Sequence, residues 1–436
     1  MSLEELLERA RRVSQQAEVF RYYHKDTPVA FEANRLKRVE QRETSGTALR
    51  IVVNGRLGFS STTDSKGEEG LIESALEMAP FGPEAHLSFP GHVSFQPVEV
   101  YDPATEALTP ERMVELGQRL VDQVRALDPE LLVDARVSRG IYRVSIRSSN
   151  GGVCDYRKSY FYVYAEGTLV NGTDMLFVWD GQGSCRPITD TSEIVATIAE
   201  QLERSRTVAP APDGQPPVLF TPQAVASVLL PPLLAGINGR SVLRGASPLV
   251  QRLGEQALDQ RFTLRDEPLT PYAVGSRAFD DEGVPTRSLP LVDKGVIASF
   301  LYDLDTAAKA GAESTGSAHR ELATLPSPGA SVLAVGTGDA TWQDILSDMR
   351  DGLVVEHLLG AGQSNLIGGE FSANVLLGYR VQGGKIVGRV KNTLVSGNVY
   401  KVLKELRGLG TEARWISGSV VTPAIYCGGV SVSSKG

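Results

Sequence analysis

The five histidines, His24, His86, His92, His319 and His357, are the first residues to test for chemistry. A helical zinc hydrolase site needs two imidazoles one turn apart on one face, with a carboxylate beside the first to take a proton from metal-bound water. None of the five is followed by Glu, and no two stand four or five residues apart. The closest pair, His86 and His92, lies in a run rich in Pro and Gly. The spacing excludes a helical two-histidine zinc site. Asp280, Asp281 and Glu282 are adjacent carboxylates of the kind that bind hard cations, yet they precede Gly-Val-Pro in a turn, where acids commonly solvate and cap. His319, set among Ser, Thr and Gly in TGSAHR, reads as an exposed loop residue, and a surface or capping role is the simpler account of it.

Other patterns are weaker. Gly360-Ala361-Gly362-Gln363-Ser364-Asn365 follows a predicted strand, but Asn365 stands where a dinucleotide loop has its third glycine, and LIGGEFS follows in place of a helix. No helix N-terminus is then available to meet a pyrophosphate. No G-x-S-x-G elbow occurs, and no Ser or Cys stands in an activating context. Cys154, Cys185 and Cys427 are odd in number and widely spaced, which argues against a disulfide framework and reads as buried free thiols. Tyr160, Tyr162 and Tyr164 alternate with Phe161 and Val163, so one strand face carries three phenols while the other faces the core. Half-buried sheet packing is the simpler account. The alternative is the wall of a chamber receiving extended polypeptide, where strand addition binds main chain regardless of sequence.

The elements that would position these residues are legible. The opening MSLEELLERARRVSQQAEVF reads as an amphipathic helix without the basic leader or apolar core of a signal peptide, which points to a cytoplasmic protein. Strands follow from residue 28 to 64, with Asn54-Gly55 as a two-residue hairpin turn, and residues 65 to 80 read as helix. Gly82 to Pro103 reads as a connecting loop. A helix from Thr109 to Leu127 starts with an N-cap Thr and Pro110 at its first position. Three strands separated by Asn150-Gly151 and Asn171-Gly172 form a meander, and a helix spans Thr191 to Arg204. Thr207 to Pro217, rich in Pro and Gly, is the linker candidate, giving an N-terminal domain over 1–212 and a β-rich C-terminal domain over 213–436. In the second, a strand at VIASFLYD, a helix at Thr306 to Ala312, a polar loop at Ser314 to Arg320, a helix at WQDILSDM and the strands GLVVEHLL, NVLLGYRV and KIVGRVKN are expected. Helices and strands mix without a regular βαβ repeat, so the fold class is α+β. The formal charge of −8 comes from 44 basic and 52 acidic residues with no Lys/Arg run, which argues against direct nucleic-acid binding. No run approaches the ~20 apolar residues of a membrane span.

Three blocks, Phe31 to Thr63, Phe279 to Arg320 and Gly352 to Asn398, stand in the order expected of the TldD/PmbA family, which the chain resembles over nearly its whole length. The first block has a turn at Gly46, an aliphatic strand and a G-x-x-G-F hairpin ending at Phe59; the third has Gly369-Glu370-Phe371-Ser372 in place of G-[DE]-F-S. The family is described as zinc metallopeptidases of two homologous subunits, one with an H-E-x-x-x-H helix and one, TldE or PmbA, without it. Arg244-Gly245-Ala246-Ser247 and Leu253-Gly254-Glu255 resemble the segment that follows the zinc helix. In that register the first His, the Glu and the second His correspond to Leu230, Pro231 and Ala235, none of which binds metal or moves protons. Pro231 and Pro232 also disfavour a continuous helix. The active subunit is said to supply a C-terminal cysteine as third ligand; here Cys427 has nothing to complete.

The resemblance therefore implies a PmbA/TldE-like subunit without metal of its own. Zinc is expected in a TldD-like partner, with which the chain forms a chamber for unfolded peptide. Its cleft residues would be His319, Tyr302, Gly360, Gly362, Asn365, Phe371, Tyr160, Tyr162 and Tyr164. The family is also labelled a modulator of DNA gyrase, but the acidic charge balance does not suit DNA. Two other readings stand beside this one: a homodimer that holds peptides without cleaving them, and an independent hydrolase with a site outside the known patterns.

Overall fold

Period-two alternation of apolar and polar residues builds the N-terminal half. In the computed structural model, which describes residues 1–64 and 66–434, seven strands form one antiparallel sheet: β1 (Gln16–Glu32), β2 (Arg35–Val39), β3 (Arg42–Val53), β4 (Arg56–Thr62), β5 (Leu132–Ser148), β6 (Val153–Asn171) and β7 (Asp174–Ser184). Their order is β4-β3-β1-β5-β6-β7, with β2 paired to β1. The hairpin turn between β3 and β4 has Asn54 at φ 50° and Gly55 at φ 73°, as the sequence predicts for a two-residue connection.

One face of this sheet is apolar and covered by helices. Ala17, Val19, Leu49 and Ile51 pack under the helices Leu3–Arg11 and Leu71–Met78. Val29, Phe31, Val133, Val137, Phe161 and Val163 pack under Pro110–Arg125, which presents Met113, Leu116, Leu120 and Val124. That helix starts as predicted, with the Thr109 hydroxyl accepting from the Arg112 amide. The opposite face carries Tyr22, His24, Tyr142, Tyr156, Lys158, Tyr160, Tyr162 and Tyr164, because strand parity sends their side chains the other way.

The C-terminal half is built on a twelve-stranded mixed sheet in which Val218–Phe220 lies between Asp351–Leu359, parallel to it, and Val420–Cys427, antiparallel. The helical path from Pro222 to Ile237 packs its apolar side on this sheet. A further core joins the two halves: Ile194 and Ile198 of the helix Ser192–Arg204 and Ile345 and Leu346 of the helix Trp342–Met349 meet Leu219, Val354, Tyr379 and Tyr426. The architecture is α+β. Residues 207–217 form no regular element, yet they are tied to the second sheet by Ala209 N to Arg389 O (2.9 Å) and Gly214 N to Val432 O (3.0 Å). Among the described residues no helix is long and apolar enough to cross a membrane.

Three expectations fail locally. The opening helix ends at Arg11, and Gln16 begins β1, because Ala17 and Val19 bury on one side of a strand while Glu18 and Phe20 bury on the other. The strand expected over VIASFLYD is only Val296–Ile297. Beyond it the chain extends to Asp303, which caps the helix Leu304–Ala310 in a reciprocal box with Thr306. Pro231 and Pro232 do not interrupt the helix: Val225–Leu229 forms a π turn immediately before them, and Leu230–Ile237 continues as α-helix. A widened turn relieves the contact between a proline ring and the preceding carbonyls.

Gly140 lies opposite Tyr160, and a β-carbon there would come 2.3 Å from the tyrosine ring. The ring is held at its tip by His24 and Asp26. Gly140→Ala is expected to destabilise the protein by about 1–3 kcal/mol. In urea denaturation the cost should shrink in a Tyr160→Ala background.

Candidate functional site

Asp280, Asp281 and Glu282 are buried rather than solvated, correcting the expectation of a surface turn. Asp280 folds the turn on itself by accepting from the Glu282 and Val284 amides at 2.9 and 3.0 Å, and it draws in the 314–320 loop by accepting from Ala318 N at 3.0 Å. Asp281 accepts from Arg320 N at 3.0 Å. Glu282 accepts from Arg50 of β3 at 2.7 Å and from Leu304 N at 2.7 Å. Arg50 also donates to Glu18 of β1, and Arg320 pairs with the same carboxylate at 2.8 Å while stacking on Phe20. Burial raises the Glu18 pKa, but Arg320 and Arg50 outweigh it and hold the carboxyl below its usual range. Burial, with Asp280 and Asp303 nearby, keeps Glu282 above the carboxylate range against the pull of Arg50. These acids are thus satisfied by guanidinium and amide donors, which leaves a cation no vacancy among them.

His319 is half-buried rather than in an exposed loop. It stands on the short strand Ala318–His319, paired with Ser327–Pro328. Burial, and then the nearby Arg277 and Lys158, hold its pKa well below the ordinary value. It is therefore a neutral imidazole, and its Nε2 accepts from Arg277 Nη2 at 2.5 Å. Lys158 donates to Ser276 O at 2.9 Å and lies directly across from Tyr142, so His319 abuts the tyrosine-bearing face of the first sheet.

On that face His24 stacks on Tyr142 with ring centroids 4.2 Å apart, and Tyr142 lies 5.3 Å from Tyr160, itself 5.6 Å from Tyr162. Tyr160 donates its hydroxyl proton to Asp26 at 2.8 Å. Its oxygen then accepts from His24 Nε2 at 2.9 Å, a contact that assigns the proton to that nitrogen. Tyr164 donates to Glu166 at 2.6 Å. Phe161 and Val163 are buried on the other face, the division that alternation predicts. Three tyrosine rings lie over glycines on neighbouring strands: Tyr160 over Gly140, Tyr162 over Gly183 and Tyr164 beside Gly181.

The remaining sequence candidates gather elsewhere, around the helical path from Pro222 to Ile237. Tyr302 packs on Gly239 just beyond it. Gly360 takes a left-handed conformation (φ 89°) and opens a short 3₁₀ turn, Ala361–Gln363, that lies beside the π turn. Gly362 and Asn365 are exposed, whereas the Phe371 ring is buried against Phe220, so it supports the loop from beneath. Tyr400 sits directly on Gly236 and Gly369 and joins loop to helix. The two groups connect through Asn238, whose side chain donates to Pro328 O at 2.8 Å beside the His319 strand.

The residues that the sequence resemblance places at a zinc helix do not form a donor set for zinc. Leu230 is buried among apolar side chains, Pro231 and Ala235 offer no ligand, and burial pushes the Cys427 thiol above its ordinary range while it donates to Val218 O at 3.6 Å. Among the described residues no three His, Cys, Asp or Glu side chains come together as a metal site. All three cysteines are buried and free, as expected.

One cluster escaped the sequence. Glu356 lines a cavity of about 640 Å³ between the helix Ser192–Arg204, the helix Trp342–Met349 and the strand Leu406–Ile416. It is 7% exposed, and burial pushes its pKa up to about 7. Nearby, Arg414 donates to Asp180 at 2.6 Å and to Thr197 at 2.9 Å. The only signal in the sequence was a lone acid within the apolar run GLVVEHLL.

Over residues 213–434 the sequence matches the PmbA/TldA metallopeptidase C-terminal domain, and over residues 17–79 it matches PmbA/TldA metallopeptidase domain 1. A metalloprotease of Methanothermobacter thermautotrophicus is 26% identical over 407 residues, which cover 88% of this chain and 86% of that protein. Metalloprotease PmbA of Escherichia coli O157:H7 is 29% identical over 217 residues, 49% of this chain and 46% of that one. Among solved structures, TldE from Thermococcus kodakarensis has a TM-score of 0.91 at 23% identity, covering 99% of this chain and 100% of that one, which shows a shared fold.

The raised pKa of Glu356 has a definite sign in stability. A carboxyl whose folded pKa exceeds its ordinary 4.5 favours folding below that value, and the contribution is lost as the pH rises through about 7. Glu356→Gln removes this loss, so urea midpoints should shift in favour of the variant by up to roughly 3 kcal/mol between pH 5 and pH 8. Equal differences at the two pH values would show that the carboxyl is already ionised in the folded protein.

Proposed function

Because the chain belongs to the TldD/PmbA metallopeptidase family, we propose that it is the family's metal-free subunit, holding peptide in an assembly whose zinc is carried by a homologous partner. The observation that carries this reading is the helix Leu230–Ile237, which presents Leu230, Pro231 and Ala235 where a helical zinc site requires two imidazoles and a carboxylate. This reading is supported by the frame around that helix: the glycine loop at 360–371 lies beside the π turn that precedes it, and Tyr400 ties loop to helix.

The substrate surface in this proposal is the tyrosine face of β1, β5 and β6, continued by His319 and Arg277. Half-buried phenols on a rigid sheet offer large amphipathic contacts at little entropic cost, and they do not select one side chain over another. Neutral His319 and His24 add hydrogen-bonding groups without fixed charge. Such a wall suits unfolded polypeptide, which brings its own main-chain donors and acceptors.

Mixing the purified chain with a family member that bears H-E-x-x-x-H is expected to give peptidase activity on unfolded peptide that neither has alone and that a chelator abolishes. A mixture no more active than the zinc-bearing protein by itself would refute the proposal. Metal analysis of the isolated chain should find zinc far below one per chain. In the active mixture, Tyr162→Ala is expected to raise KM for unfolded peptide several-fold, about 1 kcal/mol of lost contact, with the zinc content unchanged. An unaltered KM would remove the tyrosine face from the substrate path.

A further inference from the structure

The cavity bounded by Glu356 lies apart from the tyrosine face and from the helix Leu230–Ile237, and nothing in the peptidase reading uses it. Its strands are bent to form it. Along Asp351–Leu359, Val355 pairs with Gly378 and His357 with Leu377, so Glu356 is the extra residue of a β-bulge. Along Leu406–Ile416, Leu409 pairs with Ile425 and Ala413 with Pro423, so Gly410, Thr411 and Glu412 leave the ladder at the same place. Bulges re-aim side chains, and here two of them open on one volume.

The charges in this volume are unevenly matched. Arg204 pairs with Glu200 and lies over the Trp342 ring, while Arg414 is engaged by Asp180, Thr197 and, at 3.5 Å, Glu193, which among the described residues leaves Glu356 and Glu412 without a cation. Glu193, Glu200, Glu356 and Glu412 line the wall against those two arginines. Among the described residues Glu356 accepts no hydrogen bond and forms no ion pair, although it is more than nine-tenths buried. An acid in such a position is unfavourable until a donor arrives. Anions would meet the surplus carboxylates, and a purely apolar ligand would leave Glu356 unpaired. An ammonium group supplies both the charge and the hydrogen bonds. Trp342 and Ile345 provide an apolar wall for a carbon body, and the volume lies in the range of small-molecule sites.

We propose that this cavity binds a small organic cation bearing a primary ammonium group, with the Glu356 carboxylate as its direct partner. This goes beyond the peptidase reading and does not rest on it. The groups facing Glu356 are Arg204, Arg414, Glu200, Asp180 and Tyr379, and two of these are cations already paired with acids.

The test is calorimetric titration of the full chain with 1,4-diaminobutane and with alanylalanine amide, each beside its counterpart acetylated at every amine, with tryptophan emission followed in parallel. At least one free amine should bind saturably, its acetylated form at least about 10-fold more weakly, and Glu356→Gln should lose at least about 10-fold in affinity while still melting in one cooperative transition no lower than that of the unaltered chain. Binding of the diamine alone points to a free polyamine, and binding of the dipeptide amide alone points to a peptide amino terminus; either supports the site. If Glu356→Gln fails to fold, proton release on binding, measured for the unaltered chain in two buffers of different ionisation heat, replaces it. Release that accompanies binding supports the site, and binding that shows neither release nor weakening in about 1 M salt overturns it. Amine affinity equal in the unaltered chain and Glu356→Gln, or no binding of either amine at about 10 mM, overturns it as well.

Discussion

Arg50 is the interaction on which the arrangement of the two halves turns. Its guanidinium holds Glu18 of its own sheet and Glu282 of the distant 277–320 segment, and Arg320 returns from that segment to the same Glu18. Two cations and two anions are thus shared across the joint with almost no exposure. Such a cluster adds little net stability compared with well-packed apolar residues, but losing one member strands its partners in low dielectric at a cost of about 3–5 kcal/mol. Its structural consequence is register. The docking that pairs these charges on β1 and β3 also brings Phe279 onto Tyr156 and Arg277 next to Lys158.

The tyrosine face depends on that registration. Phenols on a free sheet edge would be ordinary packing residues, but here the rings lean over Gly140 and Gly183 and Tyr160 is tied at its tip, so the face is shaped before anything touches it. His319 reaches this surface only because Asp280 and Asp281 bind the amides of Ala318 and Arg320. A turn that looked like solvated charge is therefore the support that carries His319, next to Ala318, to its place.

Much of this was legible in the sequence, and the exceptions share a cause. Alternation in YFYVY and apolar spacing from Met113 to Val124 report local parity, which tertiary structure did not override. The absence of paired histidines is a matter of counting, and folding cannot change it. What failed was burial. Asp280, Asp281, Glu282 and His319 carry polar labels that read as surface, and nothing local reveals that Arg50, 232 residues away, will meet Glu282 or that the 314–320 loop will fold onto Asp280 and Asp281. Glu356 was missed for the complementary reason: in GLVVEHLL an acid between apolar residues looks like a strand's solvent face, and the bulge that turns it into a cavity depends on a partner strand. The prolines at 231 and 232 do not break the helix, because the π turn just upstream accommodates them, and a π turn has no local signature in sequence.

The same helix shows why a metal-free reading is physically coherent. A metal site without its metal leaves imidazoles and thiolates that must find other partners or charge neutralisation. Along Leu230–Ile237 no such debt exists. Leu230 is absorbed by the core, the Cys427 thiol stays protonated against a carbonyl, and the prolines fill positions where the π turn has already removed the need for their amide protons. Each substitution alone would damage a zinc site, whereas together they form an ordinary packed helix. The packing of Leu230 in the apolar core and of the Cys427 thiol on the Val218 carbonyl is complete without a metal, which is what the proposed metal-free role requires of this helix.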